Sequence, residues 1–512
     1  MPTTEAPAAT SAAYADLCAL LREAGTIDSI ARLCSWDQET DMPPKAAAFR
    51  AEELALLSRL GHERLTSPRL GDLLAECEAD ANLTADAAVA ANLREIRRDY
   101  DKATRLPADL VAEIAETASR AMEVWKEARS ASDFALFRPW LEKSFGLARR
   151  KAECLGAPAG GVLYDALLDE YEPGVTSADV ERVFGPLREA LTPLIAEIAS
   201  APTRPSRAPD EVKVDRAAQV ELNKHAAAAL GFDFSAGRLA VSTHPFSEGL
   251  APGDTRMTTR YFDDRFTDSL AATLHETGHS LYEQGLPKAE FPGQPLGRYI
   301  SLGVHESQSR LWENQVGRSR PFWEWMAPIV KDRLGPGLAR FGVDDFYGCV
   351  NVVEPTFIRV EADEATYHLH VMMRFDLERL LIAGDLAVAD VPGWWNARIK
   401  ADLGLSVPDD ARGCLQDIHW SMGAIGYFAT YSLGSLLAAQ MWETAQRAIP
   451  GVEAGFARGR FAPLLDWLRE HIHRHGRRFT SAQLTERLTG APLSHEPLMR
   501  YLESKLRPLY GL

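Results

Sequence analysis

Apolar residues recur at intervals of three or four positions along most of the chain, as they do on one face of an α-helix. After a break at Pro107, such a face is formed by Leu110, Ile114, Ala118, Ala121 and Trp125. Similar patterns predict successive helices over residues 14–155, over about 176–200, and from about 299 to the C-terminus. Residues 156–161 and 201–209 are predicted loops because of their glycines and prolines. The predicted fold class is therefore mostly α.

One β signal interrupts this pattern. Two short runs rich in β-branched residues, 238–243 and 256–261, flank a segment that contains Gly and Pro. We predict that these two runs form a small antiparallel β element beside the helix that follows. An edge strand there is expected to form one wall of a cleft, in which an extended peptide pairs with it through main-chain hydrogen bonds.

The next predicted helix begins at Thr267 and Asp268, which favour an N-terminus, and ends at Gly285, with Pro287 beyond it. Its apolar stripe is Leu270, Leu274 and Leu281. Gly278 lies inside this helix, where glycine costs roughly 1 kcal/mol relative to alanine. We therefore expect another backbone, or a substrate, to approach the helix closely at Gly278.

The same helix carries His275, Glu276 and His279 in the pattern His-Glu-x-x-His. Histidines four positions apart project from one helix face, so both imidazoles can bind a single Zn²⁺. The glutamate between them lies close to the ion without having to ligate it, and it can accept a proton from water. We predict a zinc site with His275 and His279 as ligands and Glu276 as the general base.

A catalytic zinc site needs a third protein ligand beside its water molecule. Glu283 is a poor candidate because it lies about 12 Å along the helix axis from His275. After a loop at 287–297, a predicted helical run at 299–316 contains Glu306, which we predict as the third ligand. The alternative for Glu306 is a surface ion pair with Arg310, four positions later.

From these residues, the chain resembles the carboxypeptidase Taq family of zinc metallocarboxypeptidases. The blocks that carry the resemblance span most of the chain, and they are Ser35–Thr40 with Met42-Pro43-Pro44, His244-Pro245-Phe246, Asp254–Thr258, His275–His279, His305–Gln308, Ile358–Asp363 and Gly413–Trp420. One departure is Ala429, which stands where the family usually has proline.

The resemblance implies two helical lobes around a deep substrate groove with one zinc ion at its floor. Whether cobalt or another divalent ion substitutes for zinc is left open by the sequence. It also implies a homodimer that removes C-terminal residues from peptides with broad specificity. Candidate groups for stabilising the tetrahedral oxyanion are His244, His419, Tyr427 and Tyr431, among which the sequence does not choose. Asp254, Gln416 and Asp417 are candidates for orienting the ligand histidines.

An exopeptidase must recognise the free α-carboxylate of its substrate, and the planar fork of arginine suits that task. We predict that Arg359 has this role, with Arg256 in reserve. The alternative for Arg359 is an ion pair with Asp363, four positions later, without a function in binding.

Charge and composition exclude some classes of partner. Acidic residues outnumber basic ones 72 to 56, giving a net charge of −16, so neither nucleic acid nor an anionic membrane surface is an expected partner. The six cysteines are scattered and predicted to be reduced, mostly buried thiols. The N-terminus has no signal-peptide pattern, and we expect a cytoplasmic protein. The apolar stretch 426–442 is interrupted by polar residues and is predicted to be a buried helix lining the cleft, not a membrane span.

We interpret residues 1–512 as a single metallocarboxypeptidase domain, with an N-terminal helical part at about 1–205 and a zinc-site part at about 206–512. Two alternatives come from other classes. One is a zinc endopeptidase or oligopeptidase, because many enzymes with the His-Glu-x-x-His pattern cleave internal bonds. An inactive helical scaffold is disfavoured because all four candidate metal-site residues are intact.

Overall fold

The computed structural model describes residues 11–512 and is mostly helical, as predicted. The helices before the sheet are Ala12–Thr40 (α1), Ala47–Leu65 (α2), Pro68–Ala79 (α3), Ala81–Ala85 (α4), Ala87–Arg105 (α5), Ala108–Ala131 (α6), Phe134–Leu155 (α7), Leu163–Leu168 (α8), Ser177–Ala199 (α9) and Arg216–Leu230 (α10). Thr176 and Asp179 form a reciprocal capping box that fixes the start of α9.

A three-stranded sheet follows, formed by Gly237–Val241 (β1), Ser247–Ala251 (β2) and Asp254–Thr259 (β3) in the order β1-β3-β2. The two runs recognised in the sequence pair in parallel, with Arg238 opposite Arg256, so the predicted antiparallel pairing of these runs is wrong. The segment interpreted as a turn contains β2, which pairs antiparallel with β3. Two reversals of the chain, one on each side of β2, return β3 to the direction of β1.

The helices after the sheet are Phe266–Gly285 (α11), Leu302–Arg310 (α12), Arg320–Leu334 (α13), Val343–Val350 (α14), Tyr367–Ala383 (α15), Val391–Leu403 (α16), Ala429–Ala448 (α17), Val452–Phe456 (α18), Ala462–His471 (α19), Ser481–Thr489 (α20) and Glu496–Tyr510 (α21). Short 3₁₀ segments lie at Pro44–Ala46, Pro295–Gly297, Pro336–Leu338, Arg359–Glu361, Val388–Asp390 and His473–Arg478. A π-helical turn, Leu311–Val316, continues α12 directly.

Helix α17 lies between the two largest hydrophobic cores. One face, with Leu433 and Leu436, packs into a core formed by α6–α9, α15, α16 and α21. The other face, with Leu437 and Met441, packs into a core that contains α10–α14, α18 and α19. Ala429 is the first residue of α17, a position where proline and alanine are both compatible with a helix, so the departure from the family pattern leaves the backbone regular. None of the helices in residues 11–512 is long and apolar enough to cross a membrane.

The six cysteines, all of which fall within the described residues, are free. Three are buried (Cys77, Cys349 and Cys414) and three are partly exposed (Cys18, Cys34 and Cys154). Burial raises the pKa of the Cys414 thiol, which fits a packing role for this residue.

Two buried histidines in different parts of the fold, His370 and His473, should make the free energy of unfolding decrease as the pH falls. Burial, with a further contribution from the charge of Arg374, lowers the pKa of His370 to about 3. Burial also lowers the pKa of His473 to about 3. The unfolded chain binds a proton at the ordinary pKa of about 6.5, whereas the folded chain stays neutral, so stability is complete above that pH and is lost as the pH falls. Each histidine is expected to remove about 1.4 kcal/mol of unfolding free energy per pH unit below about 6.

This expectation is checked by denaturant unfolding of the metal-free protein at several pH values between about 7.5 and 5. Treatment with a chelator beforehand ensures that pH-dependent release of any bound ion does not contribute to the measured stability. His473→Gln retains a hydrogen-bond donor toward Gln308 but has no titratable group, so its stability should depend less steeply on pH than that of the wild type. An unchanged slope would show that His473 is not among the groups responsible.

Candidate active site

Helix α11 begins at Phe266 and ends at Gly285, close to the predicted bounds, and it buries the predicted stripe of Leu270, Leu274 and Leu281. His275 and His279 lie one turn apart on its other face, with ring centroids 4.8 Å from each other. Together with Glu306 they form a group whose ligand atoms all lie within 4.8 Å of one another. Two imidazole nitrogens and one carboxylate oxygen at this spacing suit a divalent transition metal.

Gly278 allows α12 to bring Glu306 to this position. A Cβ atom on Gly278 would lie 2.6 Å from the Gln308 carbonyl oxygen and 2.6 Å from Ser309 Cα, so the expected approach of another backbone is present. On the opposite side of α12, a Cβ on Gly434 of α17 would lie 2.6 Å from Glu306 Cβ. Glu306 is therefore held between two closely packed helices and is 5% exposed.

Both histidines turn the same ring nitrogen toward Glu306. His275 Nδ1 lies 2.9 Å from Glu313 Oε2, and His279 Nδ1 donates to the His305 carbonyl oxygen at 3.1 Å. Their Nε2 atoms then lie 3.5 and 3.3 Å from Glu306 Oε2. Since the Nδ1 atoms are occupied, the Nε2 lone pairs are available to a metal ion between the three residues.

Glu306 divides its two oxygens between different partners. Oε2 faces the histidines, whereas Oε1 accepts a hydrogen bond from Arg310 Nε at 2.7 Å. Burial opposes ionisation here, but the charges of Arg310 and of the histidines hold the pKa of Glu306 well below its usual range. The ion pair with Arg310 considered from the sequence exists, and it leaves Oε2 facing the Nε2 atoms of the two histidines.

Glu276 lies in the same pocket without being part of the group of three. It is 5% exposed, and its buried Oε2 has no hydrogen-bond partner within the described residues. Burial raises the pKa of Glu276 to about 7. A carboxyl group with such a pKa is suited to accepting and returning a proton near neutral pH.

Glu283, rejected as a ligand from its distance along the helix, has other partners. Its Oε1 accepts from His305 Nε2 at 2.9 Å, and Lys288 pairs with Oε2. Burial opposes the effect, but Lys288 and His305 lower the pKa of Glu283 to about 2. Both oxygens of Glu283 are therefore occupied, Oε1 by His305 and Oε2 by Lys288.

Arg359 is 5% exposed and lies in a 3₁₀ turn, not beside Asp363. Its Nε donates to Asp417 Oδ1 at 3.0 Å, and its Nη1 donates to the Tyr367 hydroxyl at 2.9 Å. Asp363 instead accepts from Thr366 and from neighbouring backbone N–H groups. The ion pair considered as the alternative for Arg359 is therefore absent among the described contacts.

Gln416 and Asp417 hold Arg359 and not the ligand histidines. Gln416 Oε1 accepts from the Arg359 backbone N–H at 2.8 Å, and Asp417 also accepts from Arg374 Nε at 2.6 Å. Asp254 accepts hydrogen bonds from Arg256 Nε and Nη2, at 2.9 and 2.8 Å. The Nδ1 atom of His275 contacts Glu313, and that of His279 contacts His305 through both the carbonyl oxygen and the ring Nδ1 of His305, so our expectation for Asp254, Gln416 and Asp417 is wrong.

Three of the four candidate oxyanion donors lie together. His419 Nε2 is 3.1 Å from the Tyr431 hydroxyl, and the Tyr427 and Tyr431 rings are 5.2 Å apart between centroids. Burial raises the pKa of both tyrosines, so they keep their protons as hydrogen-bond donors. Burial lowers the pKa of His419 to about 3, which leaves its imidazole neutral.

His244 and Arg256 belong to the sheet region. His244 lies exposed between β1 and β2, whereas Arg256 lies on β3 with its guanidinium 4.7 Å from the Trp36 ring centroid. The sheet packs against α11, as predicted, through contacts such as that between the Ser247 and Ser280 hydroxyls at 2.7 Å. Arg256 and Arg359 are each paired with an aspartate, but Arg359 shares the Tyr367 ring with Arg310, whereas the described contacts of Arg256 lie with Asp254 and Trp36, so Arg256 stays the reserve candidate.

Glu313 and Tyr367 are among the groups of the site that the sequence analysis did not predict. Glu313 lies seven positions after Glu306 and therefore near the same face of a helix, so the sequence does contain a signal for it. The ring of Tyr367 lies 4.6 Å from the guanidinium of Arg310 and 5.7 Å from that of Arg359. No local pattern marks Tyr367, because it contacts residues from two other segments.

The family model described as carboxypeptidase Taq (M32) metallopeptidase matches residues 16–506. The chain is 43% identical to thermostable carboxypeptidase 1 of Thermus thermophilus, over 98% of this chain and 99% of that protein. It is 34% identical to carboxypeptidase 1 of Bacillus subtilis, over 96% and 98%. The crystal structure of an M32 carboxypeptidase from Deinococcus radiodurans superposes with a TM-score of 0.95 at 40% identity, covering 98% of this chain and all of that one.

Proposed function

The chain belongs to the carboxypeptidase Taq (M32) family of metallopeptidases and is a metallocarboxypeptidase, and from this premise we propose that it is a zinc enzyme that uses the pocket between α11 and α12. The observation that carries the proposal is the convergence of His275 Nε2, His279 Nε2 and Glu306 Oε2, three ligands of the types that zinc prefers. Other divalent ions, cobalt among them, are compatible with the same donors.

When bound, the metal ion supplies Lewis acidity, which makes water more acidic and polarises the scissile carbonyl. The residues of the chain do the rest. Glu276 is the buried base that takes the proton of the attacking water and returns it to the departing amine. Tyr427 and Tyr431, which keep their phenolic protons, are our preferred donors to the oxyanion. His419, with Nε2 3.1 Å from the Tyr431 hydroxyl, orients Tyr431, and His244 lies exposed beside the sheet.

We assign the recognition of the substrate α-carboxylate to Arg359. Its guanidinium has five N–H groups, of which the contacts with Asp417 and Tyr367 occupy only some. The Tyr367 ring is close to both Arg359 and Arg310, and Arg310 binds Glu306, so a single ring connects the proposed carboxylate site with the proposed metal ligands. A fixed separation of this kind favours cleavage of the last peptide bond over that of an internal one.

The proposal is tested with one peptide in two forms, one with a free C-terminus and one amidated. The protein stripped with a chelator should cleave neither, and one equivalent of zinc should restore release of the last residue from the free form only. Equal cleavage of both forms would favour the endopeptidase alternative. A stripped protein with full activity would contradict the assignment of a metal site.

Arg359→Met is expected to reduce kcat/KM on the free peptide by one to two powers of ten, because a charged hydrogen bond contributes roughly 1.5–3 kcal/mol. The amidated peptide, which is already a poor substrate, should lose almost nothing further. Zinc content measured by elemental analysis should be unchanged. Arg256→Met is the matched control, and the ratio of its kcat/KM values for the free and amidated peptides should equal that of the wild type. If Arg359→Met lowers kcat/KM equally for both peptides, Arg359 stabilises the fold and does not bind the substrate α-carboxylate.

Assembly, location and domain organisation are further parts of the proposal. We propose a cytoplasmic homodimer in which the whole chain forms one catalytic unit, with peptides as its substrates and broad specificity for the C-terminal residue. The first large core supports a single unit, because it combines residues from α6–α9 with residues from α15–α17.

A further inference from the structure

Arg310 contacts two groups that the metal site depends on. Its Nε donates to Glu306 Oε1 at 2.7 Å, and its Nη1 donates to Glu313 Oε2 at 3.1 Å. The same Glu313 oxygen lies 2.9 Å from His275 Nδ1. One guanidinium thus connects the third ligand with the group that orients the first histidine, and the ring of Tyr367 lies 4.6 Å from it.

The consequence concerns the two oxygens of Glu306. A carboxylate that binds a metal through both oxygens occupies two coordination positions, whereas one that binds through a single oxygen occupies one. Oε1 is held by Arg310, and only Oε2 faces the two histidine Nε2 atoms. The Ser309 hydroxyl lies 3.0 Å from Oε2, but it is closer, at 2.7 Å, to the Glu306 carbonyl oxygen, which takes its single proton.

We propose that Arg310 is a positioning residue that restricts Glu306 to one-oxygen ligation and thereby keeps a coordination position open for water. Arginine suits this task because its rigid fork reaches Glu306 and Glu313 at once, which the point charge of lysine does not do. The inference rests on the proposed metal site. It adds that the number of open positions is set by a residue that is not itself a ligand.

The test uses the full-length protein loaded with one equivalent of cobalt, whose visible absorption reports the coordination number. In Arg310→Met, Glu306 is free to bind through both oxygens, so the visible bands should lose intensity, and kcat should fall roughly 10–100-fold. The matched control is Arg318→Met, because Arg318 also pairs with Glu313, at 3.3 Å, but Arg310 and not Arg318 donates to Glu306. Its cobalt spectrum should remain that of the wild type.

Loss of Arg310 leaves two buried carboxylates without this partner, which is a risk to folding. If Arg310→Met does not fold, Arg310→Met/Glu313→Gln removes one charge of each sign, and the same spectral change is expected. A variant without Arg310 that binds one cobalt with the wild-type spectrum would overturn the proposal. So would a metal-loaded crystal structure of the wild type in which both Glu306 oxygens ligate. A wild type that binds no cobalt at all would instead refute the metal site itself.

Discussion

Glu276→Gln should lower kcat by about 10²–10⁴-fold while the protein keeps its full complement of zinc. The amide has nearly the shape of the carboxylate, but it has no oxygen basic enough to take a proton from water. Zinc binding should persist because Glu276 lies outside the group formed by His275, His279 and Glu306. Initial rates on the free-carboxylate peptide and elemental analysis of the same sample measure both quantities.

The pH dependence gives a second reading of the same change. Burial raises the pKa of Glu276 to about 7 in the metal-free protein, and a bound cation will lower it because it favours the charged carboxylate. The acidic limb of kcat/KM in the wild type should therefore lie below about pH 7, and it should be absent from the residual activity of Glu276→Gln. A folded, zinc-loaded variant with normal turnover would contradict the assignment of Glu276 as the base.

Glu306→Ala should lose most of its zinc, and its activity with it, because two imidazoles alone leave the coordination shell incomplete. It also leaves Arg310 without the partner of its Nε, so the thermal midpoint of the metal-free variant should be recorded beside its metal content. Competition with a chelator measures the affinity of the variant for zinc. This affinity should fall by more than the roughly 10–100-fold that is expected when a group that only orients a ligand is lost.

The matched control for Glu306→Ala is Glu283→Gln. Glu283 is also a buried carboxylate of α11, but its two oxygens are bound by His305 and Lys288. It should therefore keep most of its zinc. If Glu283→Gln lost the metal and Glu306→Ala retained it, the third ligand would have been assigned to the wrong carboxylate.

The sequence by itself determined the parts of the site that lie within one helix. The spacing of His275 and His279 places both rings on one face of α11, because the helix repeat fixes the directions of side chains four positions apart. The apolar stripe of α11 and the need for a close neighbour at Gly278 follow from the same repeat and from the missing Cβ. Glu306 followed from its place in a second helix and from the resemblance to a known family.

Only the tertiary structure decided which groups contact the site residues from other segments of the chain. The strand pairing depended on β2, a short segment whose sequence reads as a turn, because pairing partners are chosen by contacts across the sheet and not by local pattern. The contacts of Arg359 with Asp417 and of Tyr367 with two arginines join segments distant in sequence, for which periodicity has no signal. The sequence also does not show that Glu306 Oε1 binds Arg310 while Oε2 faces the histidines. This arrangement depends on the exact position of α12, which is fixed by its packing between α11 and α17.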